Sequence, residues 1–312
     1  MAQTSAIVDK LLTNVSNKLT GQKYISEMIL PPITVKQHSG KLASYGNDHL
    51  RILQNVRMGG RGEAPRIEPS TRSSSTYQIE PHGLEMIITK ADFDNVEQPY
   101  DAREDATEEL TELLWVAKER ALASALGSTS ILTQNTTLSG TSQFSDRDNS
   151  DPLTVFINAR KAVRDGCGYA PNKAIMDWGV AQVLKYHPQL LDFLGFKDNR
   201  PGGLTMQELA KALEVKEVLV GEAIYNSAKL GQSDSLAPVW DKNVVFAYCA
   251  ERAGKKQKSL GYEIRPTGRG PRQVFRSPVN NPPQSESIIV VDDYDHLLSD
   301  VSCAYLVKDA IA

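Results

Sequence analysis

The clearest periodic pattern of apolar residues lies between Asp101 and Leu126. Its apolar positions recur at steps of three and four residues, which predicts an amphipathic helix with one apolar stripe. The stripe consists of Ala106, Leu110, Leu113, Leu114, Ala117, Ala121 and Ala125. Asp101 suits the N-cap, Glu104 the reciprocal position of a capping box, and Gly127 the C-terminal stop. The helix would be roughly 37 Å long, and because much of its stripe is alanine, we expect another element to pack closely against it.

Shorter patterns predict the other elements. We expect helices at residues 7–19, 153–165, 178–186 and 205–213, and strands at residues 82–93, 215–220, 244–249, 287–292 and 302–308. The helix at 7–19 fits two arrangements equally, docked on its own subunit or reaching a neighbour. Pro31 and Pro32 favour an extended conformation for residues 25–35. Helices and strands alternate without a regular βαβ rhythm, so the class is α+β. We expect the last two strands to pack beside the helix at 101–126.

Residues 40–77 differ in composition from the rest of the chain. They are rich in Gly, Ser, Asn and Arg, and a glycine-rich run at 59–62 before Pro65 predicts a turn at a tip. No Gly-Lys-Ser/Thr follows, so this is not a phosphate-binding loop. A segment this long with so little core-forming content fits either a surface loop or a reaching arm. Its basic residues include Arg51, Arg57, Arg61, Arg66 and Arg72.

Composition narrows the function classes. A chain of 312 residues with 40% hydrophobic content can bury a sizeable core, which favours two domains. A net charge of −3 and a pI near 6.0 argue against a dedicated nucleic-acid binder. The three cysteines, Cys167, Cys249 and Cys303, are widely spaced, which argues against zinc or a disulfide framework and fits a reducing compartment. The chain has neither a membrane-spanning apolar run nor a secretory signal, so we expect synthesis and folding in the cytoplasm.

The chain offers little catalytic chemistry. None of its five histidines falls in a His-x-x-x-His or His-Glu-x-x-His pattern, and no Gly-x-Ser-x-Gly elbow is present. The densest ligand-like cluster is Asp292, Asp293, Asp295 and His296. A metal site would use such oxygens, although acidic residues that close a strand before a turn are commoner. We expect no enzyme, no cofactor, no metal and no turnover that depends on this cluster.

The order of these features resembles the major capsid proteins of tailed bacteriophages, which have the Hong Kong 97 fold. The resemblance covers almost the whole chain and depends on the conjunction of several loose blocks. These blocks are YQIEPHGLEMIITKADFDN, TLSGTSQFSDRDNSDP, PNKAIMDWGVAQVLKYHPQLLDF, VKEVLVGEAIYNSA, VWDKNVVFAY and LGYEIRP. The resemblance implies a structural subunit that self-assembles into an icosahedral shell around a double-stranded DNA genome.

The resemblance also implies a domain organisation and a set of partners. The divisions are an N-terminal arm at 1–40, an extended loop at 41–81, a peripheral domain at 82–165 with its spine helix at 101–126, an axial domain at 166–284, and strands at 285–312 that return to the peripheral domain. Partners would be other copies in pentamers and hexamers, portal and decoration proteins, and DNA bound non-specifically, with no membrane. The extended loop begins within about forty residues of Met1, which implies a separate scaffolding protein or none. The subunits would assemble in the host cytoplasm and end in the virion capsid.

Opposite charges on two segments suggest how subunits join. The extended loop is basic, whereas the approach to the helix at 101–126 and its first half are acidic, notably at Glu104, Glu108 and Glu112. We hypothesise that the five arginines at 51, 57, 61, 66 and 72 meet these glutamates between subunits; alternatively, both sets face water. Two other functions stay open: an encapsulin-like compartment, which genomic neighbours would distinguish, and a hydrolase that uses the cluster at 292–296.

Overall fold

A computed structural model describes residues 7–19, 24–45, 72–95, 101–196, 202–229, 231–252, 258–268, 270–279 and 284–312, with the backbone alone at 43–45 and 72–73. The helices are α1 Lys10–Lys18, α2 Ser26–Ile29, α3 Lys90–Asn95, α4 Ala102–Leu126, α5 Pro152–Cys167, α6 Trp178–Lys185, α7 Pro188–Phe193 and α8 Met206–Ala212. The strands are β1 Ile7–Val8, β2 Pro32–Val35, β3 Ser39–Tyr45, β4 Arg72–Gln78, β5 Glu80–Ile88, β6 Asn135–Thr137, β7 Lys173–Asp177, β8 Glu217–Gly221, β9 Ile224–Asn226, β10 Leu236–Pro238, β11 Val244–Ala247, β12 Gly261–Pro266, β13 Arg272–Val279, β14 Ser285–Leu298 and β15 Ala304–Lys308. This mixture confirms the α+β class.

Helix α4 confirms the predicted helix, but its buried face differs from the predicted stripe. The Asp101 side chain accepts a hydrogen bond from the backbone N–H of Arg103, and the C-cap is Gly127. Ala117 and Ala121 are exposed, and Leu113 is 48% exposed. The buried face instead includes four polar residues, Thr107, Thr111, Lys118 and Glu119. A pattern of apolar residues alone misplaced the stripe because buried polar residues share the face.

The first sheet has six strands and carries α4 on one face. Its strand order is β1-β13-β14-β12-β2, with β5 also paired to β14. The 14-residue strand β14 is its centre, antiparallel to β5, β12 and β13. Ile288 and Val290 of β14 pack with Leu110 and Leu114 of α4 in one apolar cluster. The predicted strand at 287–292 therefore does lie beside the long helix.

The second sheet has five strands in the order β6-β15-β11-β7-β8. All four residues of β11 are buried, so both faces of the sheet are covered. One face packs against α5, α6 and α8, through residues such as Phe156, Val180 and Leu209. The other face lies in a core that includes Leu122 and Leu126 at the end of α4.

The sheet to which a strand belongs differs from the predicted division of the chain in two segments. Strand β15 pairs with β11 of the second sheet and not with a strand of the first sheet. Ala304 and Leu306 still share a core with Leu122, since the end of α4 reaches this sheet. Conversely, β12 and β13 come from the segment 166–284 but lie in the first sheet. Local apolarity identified β15 correctly but carried no information about its partners, and it did not predict β12 or β13.

The stem of the extended segment is an antiparallel pair. Strands β3 and β4 pair from Ser39 with Gln78 to Tyr45 with Arg72. Tyr77 and Ile79 pack with Ile264 and Leu297 of the first sheet, which anchors the base of the stem. Residues 46–71, with the predicted turn at 59–62, lie outside the described part of the chain.

One expectation for the N-terminal residues is wrong, and one pair of alternatives is decided. Residues 25–35 are not extended throughout, because α2 precedes β2. Of the two arrangements open for the helix at 7–19, α1 docks on its own chain, where Ser16 Oγ lies 2.9 Å from Thr111 Oγ1 of α4. Its buried residues are Leu12 and Ser16, whereas Leu11 is exposed. Among the described residues, no helix has the length and apolar character needed to span a membrane.

Candidate functional site

The predicted contact residues divide into described and undescribed positions. Arg51, Arg57, Arg61 and Arg66 lie outside the described residues, and Arg72 begins β4 with an undescribed side chain. Glu104, Glu108 and Glu112 are all exposed on α4. Residues four apart in a helix lie on one side of it, so the three carboxylates form one acidic line. The acidic half of the hypothesised contact is thus available to a partner, and its basic half stays a prediction.

An apolar groove continues this acidic surface towards the β9–β10 hairpin. The groove has a volume of about 370 Å³, and Glu109, Glu112 and Glu222 contribute its carboxylates. Leu113 and Ile224 line it and are 48% and 57% exposed. Exposed aliphatic side chains beside carboxylates are typical of a protein contact surface rather than of a catalytic pocket.

The cluster predicted at 292–296 is divided by strand geometry. Successive side chains of a strand point to opposite faces, so Asp292 and His296 lie on one face of β14 and Asp293 and Asp295 on the other. Asp292 is buried and pairs with Arg265, with Oδ1 3.1 Å from Nη1. Asp295 Oδ2 instead accepts a hydrogen bond from the backbone N–H of Gln78 at 2.9 Å. In the described part of the chain, no group of three or more His, Cys, Asp or Glu side chains is arranged to hold a metal ion.

The most unusual feature of the first sheet is an ion network beneath the middle of α4. Lys118 Nζ lies 3.0 Å from Glu263 Oε1 and 3.9 Å from Asp292 Oδ2. It also lies 4.8 Å from the ring centroid of Tyr294. The Arg265 guanidinium pairs with Glu263 as well as with Asp292. The network joins α4 to β12 and β14, and because Lys118 is fully buried, it depends on partners supplied by the fold.

Arg272 and Glu27 extend this network to the N-terminal residues. The guanidinium of Arg272 donates hydrogen bonds to Ser16 Oγ and O at 3.2 and 3.1 Å and lies 4.6 Å from the Trp115 ring centroid. Glu27 Oε1 lies 3.2 Å from both Lys118 Nζ and Arg265 Nη2. The segments that carry α1 and α2 are therefore both held against the centre of the first sheet.

Burial and charge oppose each other in the pKa values of the network. Burial raises the pKa of Glu263, but Lys118 and Arg265 outweigh it and hold that pKa below its usual value. For Asp292, burial wins over Arg265 and Lys118, and the pKa is raised. Burial lowers the pKa of His296 to about 4, despite the opposing effect of Glu263. With a pKa this far below 7, His296 is neutral near pH 7 but too weakly basic to suit a general base at neutral pH.

Glu119, next to Lys118, forms a second buried contact. Its carboxylate accepts hydrogen bonds from the backbone N–H groups of Ile25 and Ser26, at 2.8 to 3.1 Å. The indole N–H of Trp240 donates to the same carboxylate at 2.6 Å. Glu119 thus joins α4 to the start of α2 and to the loop before β11.

Sequence reasoning missed this network, although one local signal was present. Lys118 lies four residues after Leu114 and four before Leu122, both of which are buried. A charge on that line predicts a buried ion pair, because residues four apart share a helix face. Its partners at 263, 265 and 292 are distant in sequence and carry no corresponding local signal.

Comparison with known proteins defines the class. The chain superposes on a phage-related protein from Bordetella bronchiseptica with a TM-score of 0.74 and 24% identity, covering 98% of both chains. It superposes on the capsid protein of cyanophage P-SCSP1u with a TM-score of 0.60 and 10% identity, covering 93% of this chain and 90% of that one. The fold is therefore that of the Hong Kong 97-like phage capsid subunits.

Comparison with curated sequences gives more specific information about the class of protein. The major capsid protein of Burkholderia phage BcepMu is 29% identical over 269 residues, covering 84% of each sequence. The major capsid protein of Pseudomonas phage JBD67 is 28% identical over 243 residues, covering 77% of each. No protein-family model matches the chain. The resemblance to the major capsid proteins of tailed bacteriophages, predicted from the sequence, is confirmed by these relatives.

Proposed function

We propose that this major capsid protein is the repeating subunit of an icosahedral phage shell, arranged in pentamers and hexamers around packaged double-stranded DNA. The observation that carries the proposal is the similarity over 84% of the chain to a phage major capsid protein. Closed shells require head-to-tail contacts that first form rings and then join rings. The exposed acidic line and groove on α4 provide one such contact surface. Assembly takes place in the host cytoplasm, and the protein ends in the virion.

We assign the two sheets to the two domains of such a subunit. The first sheet with α4 is the peripheral domain, and the second sheet with α5 to α8 is the axial domain. Boundaries near residues 260 and 300 follow the observed pairing better than the predicted segments 166–284 and 285–312, since β12 to β14 belong to the first sheet and β15 to the second. The stem β3–β4 begins the extended loop.

The proposed role is structural rather than catalytic. Asp292 and His296 are separated from Asp293 and Asp295 by the sheet. Asp292 pairs with Arg265, and the neutral His296 lies 3.9 Å from Glu263. A metal-dependent activity that is lost in His296→Ala, with assembly intact, would contradict this role. Portal, decoration and scaffolding proteins are partners expected of such a shell, and DNA would be contacted non-specifically.

Subunits meet, in this proposal, through the basic loop of one copy and the acidic line of the next. Each exposed pair contributes only about 0–1 kcal/mol, so many copies steer assembly through encounter rate and orientation. Reversing Arg57, Arg61 and Arg66 to Glu should prevent shells from forming. Reversing Glu104, Glu108 and Glu112 to Lys in the same chain should partly restore them.

Sedimentation velocity measures the outcome as the fraction of protein in fast-sedimenting shells. A control reverses Lys161 and Glu217 instead, an exposed basic residue of α5 and an exposed acidic residue of β8, and should leave the yield unchanged. Assembly should also slow near 1 M salt, where the Debye length is about 3 Å. Normal shell yield from the triple arginine reversal alone would refute this contact.

A further inference from the structure

Three buried cations converge on a single oxygen atom beneath α4. Glu27 Oε1 lies 3.2 Å from Lys118 Nζ, 3.2 Å from Arg265 Nη2 and 3.9 Å from Arg272 Nη1. The side chains of Lys118, Arg265 and Arg272 are 1%, 13% and 4% exposed, whereas that of Glu27 is 50% exposed. The cations therefore belong to the core, and the carboxylate enters from the solvent side.

Charge balance requires an anion at this position. The buried carboxylates within the network are Glu263 and Asp292, and they face three buried cations. One positive charge is left for Glu27 to balance, and a buried charge without a partner is strongly unfavourable. The solvent-side position of Glu27 thus has to hold a negative group.

The position also has an unused donor. Nη1 of Arg272 is buried and, within the described residues, has no hydrogen-bond partner, because its 3.9 Å separation from Glu27 is too long. Nε and Nη2 of the same guanidinium are both engaged with Ser16. An oxyanion with more than one free oxygen would satisfy Nη1 as well as the other two cations.

Exchange of the anion does not require the N-terminal segment to unfold. Ile25, Ile29 and Leu30 are buried in the core, and Glu119 holds the backbone of Ile25 and Ser26. The Glu27 side chain is free of these anchors and half-exposed. Rotation of that side chain into solvent would open the position while α2 stays in place.

We propose that Lys118, Arg265 and Arg272 form an oxyanion-binding site that Glu27 occupies in the isolated subunit and that an external carboxylate or phosphate can occupy instead. The chemistry that the site recognises is that of an oxyanion, and the test distinguishes a carboxylate from a phosphate. Guanidinium groups bind both anions with the same geometry.

Chemical rescue of Glu27→Ala in the whole protein tests this site. The variant should lose on the order of 5 °C in Tm, and sodium acetate or sodium phosphate should restore at least half of that loss. Sodium chloride at equal ionic strength should not, and the restored Tm should rise with the logarithm of anion concentration. Wild type should respond equally to all three salts, because Glu27 already fills the site. Glu251→Ala is the matched control, since it removes an exposed carboxylate that pairs with Lys216 at the surface.

The outcomes distinguish the chemical class of the anion. Rescue by acetate alone supports a carboxylate ligand, rescue by phosphate alone supports a phosphate ligand, and rescue by both supports a general oxyanion site. Glu27→Gln, which keeps the shape without the charge, should show the same preference with a smaller loss. If neither variant folds in chloride, folding that acetate or phosphate restores is the supporting result. No difference between these anions and chloride in either variant would overturn the proposal.

Discussion

The region around α4 and the region around α5 to α8 are stabilised in different ways. Beneath α5, Phe156 packs against Phe144 and Phe246, with ring centroids 5.3 and 5.4 Å apart. Beneath the middle of α4, the corresponding positions hold Lys118 and Glu119 with their charged partners. Apolar packing tolerates many combinations of similar volume. A buried ion network tolerates few, because each charge needs its own partner.

This difference suggests a division of labour between the two sheets. The second sheet is covered by apolar side chains on both faces, from α5, α6 and α8 on one and from the end of α4 on the other. The first sheet uses its ion network to fix α1, α2 and β12 to β14 around one helix. In the proposed contact, the acidic line on the outer side of α4 has to meet a neighbour in register, and this requires precise placement of these elements.

The largest effect should come from breaking the ion network. Lys118→Met leaves Glu263 and Asp292 with less compensation, and removal of one partner from a buried ion network costs about 3–5 kcal/mol. Urea denaturation of the unassembled subunit measures this loss in the free energy of unfolding. Ala117→Met is the control, because Ala117 is exposed on the same helix, and it should change stability by about 0.5 kcal/mol or less. Equal stability of the two variants would show that the buried ion network contributes no more to stability than an exposed position of the same helix.

The first region should also respond to pH. Burial lowers the pKa of His296 to about 4, below the value of about 6.5 in an unfolded chain. Between these values the unfolded state binds the proton and the folded state does not. The contribution of His296 to the free energy of unfolding should therefore fall as the pH drops from about 6.5 towards 4, by up to about 1.4 kcal/mol per pH unit. The raised pKa of Asp292 acts with the opposite sign.

His296→Phe should reduce this slope, measured by urea denaturation at several pH values. The slope will not vanish, because burial also lowers the pKa of His187, which acts with the same sign in the second region. An unchanged slope in His296→Phe would show that His296 titrates normally in the folded protein.

Apolar packing in the second region should fail more gradually. Phe156→Leu removes part of an aromatic cluster and should cost about 1–2 kcal/mol, with no dependence on salt. The neighbouring Ile157 is 56% exposed, so Ile157→Ala on the same helix should cost less. Urea denaturation at low and high salt checks both values, and a salt-dependent loss in Phe156→Leu would contradict the assignment of an apolar core.

The smallest effect should come from a helix cap in the second region. Thr205 and Glu208 form a capping box at the start of α8, in which each side chain bonds the backbone N–H of the other. Thr205→Ala should cost about 1 kcal/mol, whereas Thr205→Ser should cost much less because serine keeps the hydroxyl. A loss in the serine variant as large as in the alanine variant would show that the cap is unimportant.

The sequence predicted features that are encoded locally. The cap at Asp101 and the strands β8, β11 and β15 depend on residues close together in the chain, and all are present. Pairing and buried polar contacts depend on residues far apart. Ala117 was placed in the apolar stripe and Lys118 was left out of it, because an apolar pattern cannot include partners at positions 263 and 292.

The candidate contact surface could be predicted in outline only. Charge along the sequence identified Glu104, Glu108 and Glu112, which are exposed on one side of α4. The groove beside them combines Leu113 with Ile224, which only the folded chain brings together. The residues at 292–296 form a cluster along the chain, which suggested a common site. In the folded strand, successive side chains point to opposite faces, and this separates the members of the cluster.

Electron microscopy of the purified protein is the most direct test of whether the subunit assembles into shells. Negative-stain images taken under assembly conditions, compared with those of the Arg57, Arg61 and Arg66 reversal, show whether the subunit forms shells. We expect closed particles of uniform diameter for the wild-type chain and dispersed subunits or open fragments for the reversal. The proposed shell function would be contradicted if the wild-type protein remained monomeric, or formed only irregular aggregates, across salt and pH conditions that keep it folded.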